Sequence, residues 1–136
     1  MDKTVLRVTG AVVVAALAFA ATLAGEGARL ALGILIGLPS LALTIISRGQ
    51  LGKSFAVLPE ARELVTTGLY SKIQHPMYVF LDLFLVALIV VLDVPVLLLA
   101  WGILVAVQLL QVRREEKVLA AAFGVSYESY RSRTWF

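Results

Sequence analysis

The sequence predicts an all-α integral membrane protein in which four transmembrane helices form two hairpins. Both termini are predicted to be cytoplasmic, and a short helical tail follows the last span. Of the 136 residues, 60% are hydrophobic and only 15% are charged, whereas an ordinary soluble domain has about 25% charged residues. The apolar residues are gathered in four long runs between clusters of charge, so we expect one membrane domain over residues 1–136.

The four apolar runs are each close to the length of a membrane span. A bilayer core about 30 Å thick requires about 20 mostly apolar residues per helix. The first two runs predict spans over about 6–25 and 30–47, and the last two predict spans over 77–92 and 94–112. Because Asp93 can cap the fourth helix and a proline follows in its first turn, the second pair is predicted to be a tight hairpin like the first.

The positions of Lys and Arg predict the orientation. Eleven of these residues lie in the N-terminus, the central segment 48–76 and the C-terminal tail, and only Arg29 lies in a loop on the other side. The positive-inside rule then places both termini and the central segment in the cytoplasm, in a bacterial inner membrane or an endoplasmic reticulum. The alternative is that the first run is a cleaved signal peptide, since it ends in small residues near 21–25.

Composition also excludes several kinds of site. The chain has no cysteine and one histidine, so we expect no metal centre. A net charge of +3 without basic runs among aromatic residues argues against a nucleic-acid partner. Gly33 and Gly37 are four residues apart, which is typical of a close helix contact, either within the bundle or at a homodimer seam.

Polar residues within the last two spans are candidates for function, because such side chains are costly in lipid. Within each span they are three, four or seven residues apart, which places each set on one face of its helix. The sets are His75, Tyr78 and Asp82 on the third span and Gln108, Gln111 and Glu115 on the fourth.

A hairpin turning near residue 93 would put Tyr78 level with Gln108, and His75 level with Gln111. Glu115 is predicted to face the protein and Glu116 to face water, since the two are about 100° apart on the helix. Alternatives remain open: residues 113–117 could be a solvated charge run, and Asp82 could merely pair with Gln108 or an arginine.

Two blocks of sequence resemble a known enzyme family. Residues 68–78 read GxYxxxxHPxY, and after a membrane hairpin residues 115–130 read EExxLxxxFGxxYxxY. Over about residues 62–135 the chain is similar to the isoprenylcysteine carboxyl methyltransferase and phospholipid methyltransferase family. These are integral membrane enzymes that use S-adenosyl-L-methionine.

The resemblance implies a methyltransferase that acts on a small lipophilic or lipid-linked acceptor, with segments 62–78 and 108–135 around the cofactor. It implies His75 or Glu115 as the base where the acceptor must lose a proton. The implied cofactor contacts are Arg62, Glu63, Leu64, Val65, Tyr70, His75, Pro76, Met77, Tyr78 and Glu115. The residues expected to face the acceptor are Asp82, Gln108, Gln111 and Arg113.

Three positions depart from the family pattern. Gln74 stands where an arginine usually precedes the His-Pro pair, Gln111 stands where an arginine is associated with the acceptor's carboxylate, and Phe80 replaces a small residue. The second departure argues against a prenylcysteine carboxylate as the acceptor. Two other functions stay open: an NADPH-dependent membrane reductase of similar fold, and a non-catalytic four-helix scaffold or transport subunit.

Overall fold

The computed structural model describes residues 2–52 and 63–136, which fold into α-helices and a short 3₁₀ helix without any strand in these two ranges. The 3₁₀ helix covers Gly68–Ser71 and lies just before α3. The α-helices are α1 (Lys3–Thr22), α2 (Glu26–Leu51), α3 (Pro76–Leu92), α4 (Leu97–Phe123) and α5 (Val125–Arg133).

The predicted all-helical membrane class is confirmed. By length and composition α1, α2 and α4 can each cross a membrane, and α3 is a shorter apolar helix of 17 residues. Large apolar side chains are exposed along these helices, including Leu17, Leu35 and Leu99 at 66%, 71% and 72%. Such surfaces suit lipid rather than water as the surrounding medium. The core contains Ala18 of α1, so α1 packs as part of the bundle.

The two glycines of α2 mediate a close contact with α3. A Cβ on Gly33 would overlap Val91, and a Cβ on Gly37 would lie 3.3 Å from the Ala87 side chain. Both glycines are buried. Of the two predicted interpretations, the structure therefore shows the contact within the bundle.

The prediction that Asp93 caps the fourth helix is wrong. Asp93 instead ends α3 in the left-handed conformation, with φ of 55°, and α4 begins only at Leu97 without a side-chain cap. The Asp93 carboxylate pairs with the Arg29 guanidinium at 2.7 Å. This pair explains the difference, because it ties the α3–α4 turn to the α1–α2 turn at one end of the bundle.

At the opposite end, the N-terminus, the segment before α3 and the C-terminal tail converge. The Gln74 amide donates to the Phe136 carbonyl and the Trp135 amide to the Lys72 carbonyl, each at 2.8 Å. The Lys3 ammonium donates to the Arg131 carbonyl at 2.7 Å, in the last turn of α5. These bonds bring α1 and the tail against the start of α3.

Gly33→Ala is expected to lower the melting temperature of the purified protein. The added methyl would meet Val91, which is stiff because it is β-branched, and lie 3.2 Å from the Ala87 carbonyl oxygen. Overpacking of this kind costs about 1–3 kcal/mol. Gly102→Ala is the matched control, since nothing lies within 4 Å of its Cβ position, and it should be neutral or slightly stabilising. Equal melting temperatures for both variants would contradict the close α2–α3 contact.

Candidate functional site

Two adjacent carboxylates of α4 organise the polar interior. Glu115 Oε1 accepts hydrogen bonds from the Tyr78 hydroxyl at 2.8 Å and from the Gln111 amide at 3.2 Å. Its other oxygen lies 3.5 Å from His75 Nδ1. The set of Arg7, His75, Tyr78, Gln111, Glu115 and Glu116 is called the carboxylate cluster below.

Glu116 does not face water, contrary to the prediction. Its side chain is 15% exposed, less than the 22% of Glu115. Arg7 Nη1 lies 2.9 Å from Glu116 Oε1, and His75 Nε2 lies 3.6 Å from the same oxygen. The physical reason is α1: its first turns cover the face of α4 that a hairpin alone would leave open, and they bring a guanidinium to the second carboxylate.

The residues of α3 and α4 that lie at the same depth also differ from the predicted pairs. Tyr78 reaches Glu115 rather than Gln108, and Asp82 pairs with Gln108. Because the turn spans residues 93–96, its centre lies about two residues later than assumed, which shifts every pair by about one helical turn. Tyr78 moves further, because long side chains on a helix lean toward its N-terminus. The two polar stripes do face each other, as predicted.

Three tyrosines outside the spans surround the cluster. Burial and the negative charge of Glu115 raise the pKa of Tyr70 to about 12. Burial and the charge of Glu116 likewise raise the pKa of Tyr127 to about 12. Burial raises the pKa of Tyr130 as well, and its hydroxyl is buried without a hydrogen-bond partner in the described part of the chain. These phenols therefore stay neutral near pH 7, and Tyr70 and Tyr127 lie close enough to Glu115 and Glu116 to sense their charges.

A cavity of about 390 Å³ lies between α1, α3 and α4, next to the carboxylate cluster. Most of its lining is apolar. Its polar lining residues are Arg7, His75, Tyr78, Asp82, Trp101 and Gln108. The cavity thus extends from the cluster into the part of the bundle that is surrounded by apolar helix.

Asp82 occupies the inner part of this cavity. Its carboxylate accepts a hydrogen bond from the Trp101 indole at 3.3 Å, and the Gln108 side chain also bonds to it. The pairing of Asp82 with Gln108, which the sequence left open as an alternative, is thus present in the structure. Trp101 was not predicted, although its position seven residues before Gln108 on one helix face could have indicated it.

The remaining predicted site residues differ in how far they are buried. Arg62 lies outside the described residues. Glu63 is exposed, and Leu64 and Val65 are half-buried, in a segment without regular secondary structure. The structure buries Pro76 completely in the first turn of α3, leaves Met77 next to it half-buried and leaves Arg113 exposed on α4.

Arg7 was counted in the sequence only as a topology signal, yet it contacts the site directly. Besides pairing with Glu116, it donates to the Gln74 side-chain oxygen at 3.0 Å. Gln74 is the position where the family pattern has an arginine. A guanidinium is therefore present beside the His-Pro pair after all, but it comes from α1, which no local motif could have indicated.

Glu116→Gln is expected to lower the pKa of Tyr127 below about 12, because it removes a negative charge that disfavours the phenolate. An alkaline absorbance titration, with Tyr127→Phe titrated in parallel to isolate this residue, measures the change. Since the folded pKa exceeds the ordinary value of 10, Tyr127 stabilises the fold fully below pH 10 and loses that contribution as the pH rises toward 12. Glu128→Gln on α5 is the control. An unchanged Tyr127 titration in Glu116→Gln would contradict the buried position of Glu116.

Comparison with known proteins identifies the family. The model of the phospholipid methyltransferase family matches residues 28–126, well over half of the chain. The match covers nearly all of α2 and the whole of α3 and α4, and with them His75, Tyr78, Glu115 and Glu116. No curated protein and no solved structure matches the chain. The extent of the family match confirms the resemblance found in the two sequence blocks: the chain belongs to the phospholipid methyltransferase family.

Proposed function

We propose that this protein transfers a methyl group from S-adenosyl-L-methionine to a small lipophilic or lipid-linked acceptor. The observation that carries the proposal is the Glu115 carboxylate, which Tyr78, Gln111 and His75 hold in place beside the cavity. A membrane methyltransferase needs polar groups for the donor next to an apolar space for the acceptor, and here the carboxylate cluster adjoins an apolar cavity.

The residues of the carboxylate cluster fit the cofactor in chemical type. S-adenosyl-L-methionine carries a sulfonium, an ammonium, a carboxylate and ribose hydroxyls. Cations are stabilised by acids and by aromatic faces, and the cluster contains Glu115 beside the stacked rings of His75 and Tyr78, whose centroids are 6.0 Å apart. The Tyr130 hydroxyl, which has no partner among residues 2–52 and 63–136, is a further hydrogen-bonding group at this end of the bundle. We propose that Tyr70, His75, Tyr78 and Glu115 hold the cofactor.

The bound cofactor would supply a methyl group already activated by the positive sulfur. The protein's own contribution is then mainly to orient the acceptor and to exclude water. The apolar cavity walls serve the second purpose. An acceptor carboxylate needs no base, whereas an amine or a phenol has to lose a proton, and His75 or Glu115 can accept it.

We also propose the four-span topology with the carboxylate cluster at the cytoplasmic face. At 17 residues, α3 is about 25 Å long, near the lower limit for a span. Lys3, Arg7 and Arg131 lie at the same end of the bundle as the cluster, and Arg29 lies at the end with Asp93. A water-soluble cofactor would then enter from the cytoplasm, and a lipophilic acceptor from the bilayer.

Calorimetry on the detergent-solubilised protein tests the cofactor site. We expect saturable binding of S-adenosylhomocysteine, weakened about tenfold or more by Glu115→Gln, because hydrogen bonds to a charged group are worth about 1.5–3 kcal/mol. His75→Gln should weaken it as well. Glu26→Gln is the matched control, since this acid is exposed in the first turn of α2.

Two results would contradict the proposal. One is folded protein that fails to bind S-adenosylhomocysteine and S-adenosylmethionine, and the other is saturable binding of NADPH in their place. If neither Glu115→Gln nor Glu26→Gln changes the cofactor affinity, the cofactor binds somewhere other than the carboxylate cluster.

A further inference from the structure

The inner part of the cavity contains a carboxylate, Asp82, that has no cationic partner in the described part of the chain. The Asp82 side chain accepts hydrogen bonds from Trp101 and Gln108, which are both neutral. No ion pair to Asp82 occurs within residues 2–52 and 63–136, whereas Glu116, Asp93 and Glu115 each have Arg7, Arg29 or His75 close by. A carboxylate in apolar surroundings is most stable with a compensating positive charge.

Near the carboxylate cluster, the described lining of the cavity has no unpaired cationic side chain for an anionic ligand. Arg7 is the one arginine or lysine among the described residues of the lining, and its guanidinium is held by Glu116 and Gln74. His75 also lines the cavity, but it lies between Glu115 and Glu116. A phosphate or carboxylate entering this space would meet the Asp82 carboxylate, with Glu115 and Glu116 next to the lining, and no free positive group from the described residues.

We propose that the cavity is the acceptor site and takes a lipophilic amine without a phosphate group, its nitrogen at Asp82. Methylation of the bound amine rests on the proposed function. Binding of the ammonium near the Asp82 carboxylate is inferred from the cavity residues alone. The volume of about 390 Å³ lies in the range of small-molecule pockets, about 300–1,000 Å³. The apolar lining from α1, α3 and α4 suits a hydrocarbon body.

The transfer step balances with this acceptor. The ammonium bound at Asp82 first gives up one proton, and the Asp82 carboxylate or His75 can accept it. The nitrogen lone pair then forms the new N–C bond as the C–S bond of the cofactor breaks and its electron pair returns to sulfur. The product is the N-methylammonium, which carries the positive charge that the sulfonium has lost. No oxidant or further reactant is required.

Asp82 could instead serve only to join α3 to α4 through Trp101 and Gln108. The two roles differ in their dependence on charge. Asparagine at this position keeps a side-chain oxygen for the Trp101 indole but removes the negative charge. A joining role therefore survives Asp82→Asn, whereas ammonium binding does not.

Trp101 fluorescence measures occupancy of the cavity directly. The chain has two tryptophans, so Trp135→Phe leaves only Trp101, which is 6% exposed and beside Asp82. In phosphatidylcholine nanodiscs without cofactor, we would titrate this protein with a brominated long-chain alkylamine. The matched probes are the alcohol and the alkyl phosphate of the same chain, and brominated phosphatidylethanolamine.

We expect saturable quenching by the alkylamine, with an affinity about tenfold or more above that of the alcohol, and no saturable quenching by the alkyl phosphate. Asp82→Asn should abolish the preference for the amine, and Glu26→Gln should keep it. Labelled methyl from S-adenosylmethionine should then appear on the amine.

Equal affinities for the amine and the alcohol in the protein that keeps Asp82 would overturn the inference. Saturable binding of the alkyl phosphate or of phosphatidylethanolamine to the same protein would also overturn it. Because this binding is measured without cofactor, it is separate from the calorimetric test of the proposed function. Cofactor binding without amine binding would refute the acceptor assignment alone. Amine binding without cofactor binding would refute the methyltransferase proposal and leave an amine site.

Discussion

The burial of two consecutive carboxylates is the constraint on which the rest of the structure depends. Glu115 and Glu116 follow each other on a helix whose first turns, residues 97–107, are apolar, and both are largely removed from solvent. Burying a charge is costly unless it is paired and hydrogen-bonded. The chain meets this cost with groups from three elements: Arg7 from α1, His75 and Tyr78 from the start of α3, and Gln111 from α4 itself. Because each partner must reach the same pair, the ends of these helices are fixed relative to one another, and the cavity between them follows.

The family match covers residues 28–126, yet the site draws on residues at both sides of that range. Arg7 precedes it, and the tail that follows it is bound to the segment before α3 through Trp135 and Phe136. The Lys3 ammonium links the two flanks by donating to carbonyls of the tail. The Gln74 position shows the consequence: the residue that departs from the family pattern accepts a hydrogen bond from Arg7. A departure at one position is thus compensated in space by α1, which lies outside the matched residues.

Sequence reasoning predicted the helices and the two facing polar stripes, because lipid imposes an apolar run on each span and 3.6-residue periodicity on its polar face. It was wrong about Asp93 as a helix cap, about Glu116 facing water and about the depth at which Tyr78 meets α4. The first two depend on long-range contacts, an arginine from another hairpin and a helix that covers one face, and the third depends on where the turn between α3 and α4 is centred. Local spacing contains no information about such contacts. The cofactor contacts implied for residues 62–65 stay predictions, and Arg62 lies outside the described residues.

Photo-cross-linking tests the central claim, that the carboxylate cluster is the cofactor end of a methyltransferase, most directly. Protein in nanodiscs would be irradiated with an azidoadenosyl analogue of S-adenosylhomocysteine, and the labelled residues mapped by mass spectrometry with and without excess unmodified ligand. The account predicts protectable labelling confined to residues 63–78 and 108–136, around Tyr70, His75 and Glu115. Protectable labelling at the opposite end of the bundle, around Arg29 and Asp93, would contradict it.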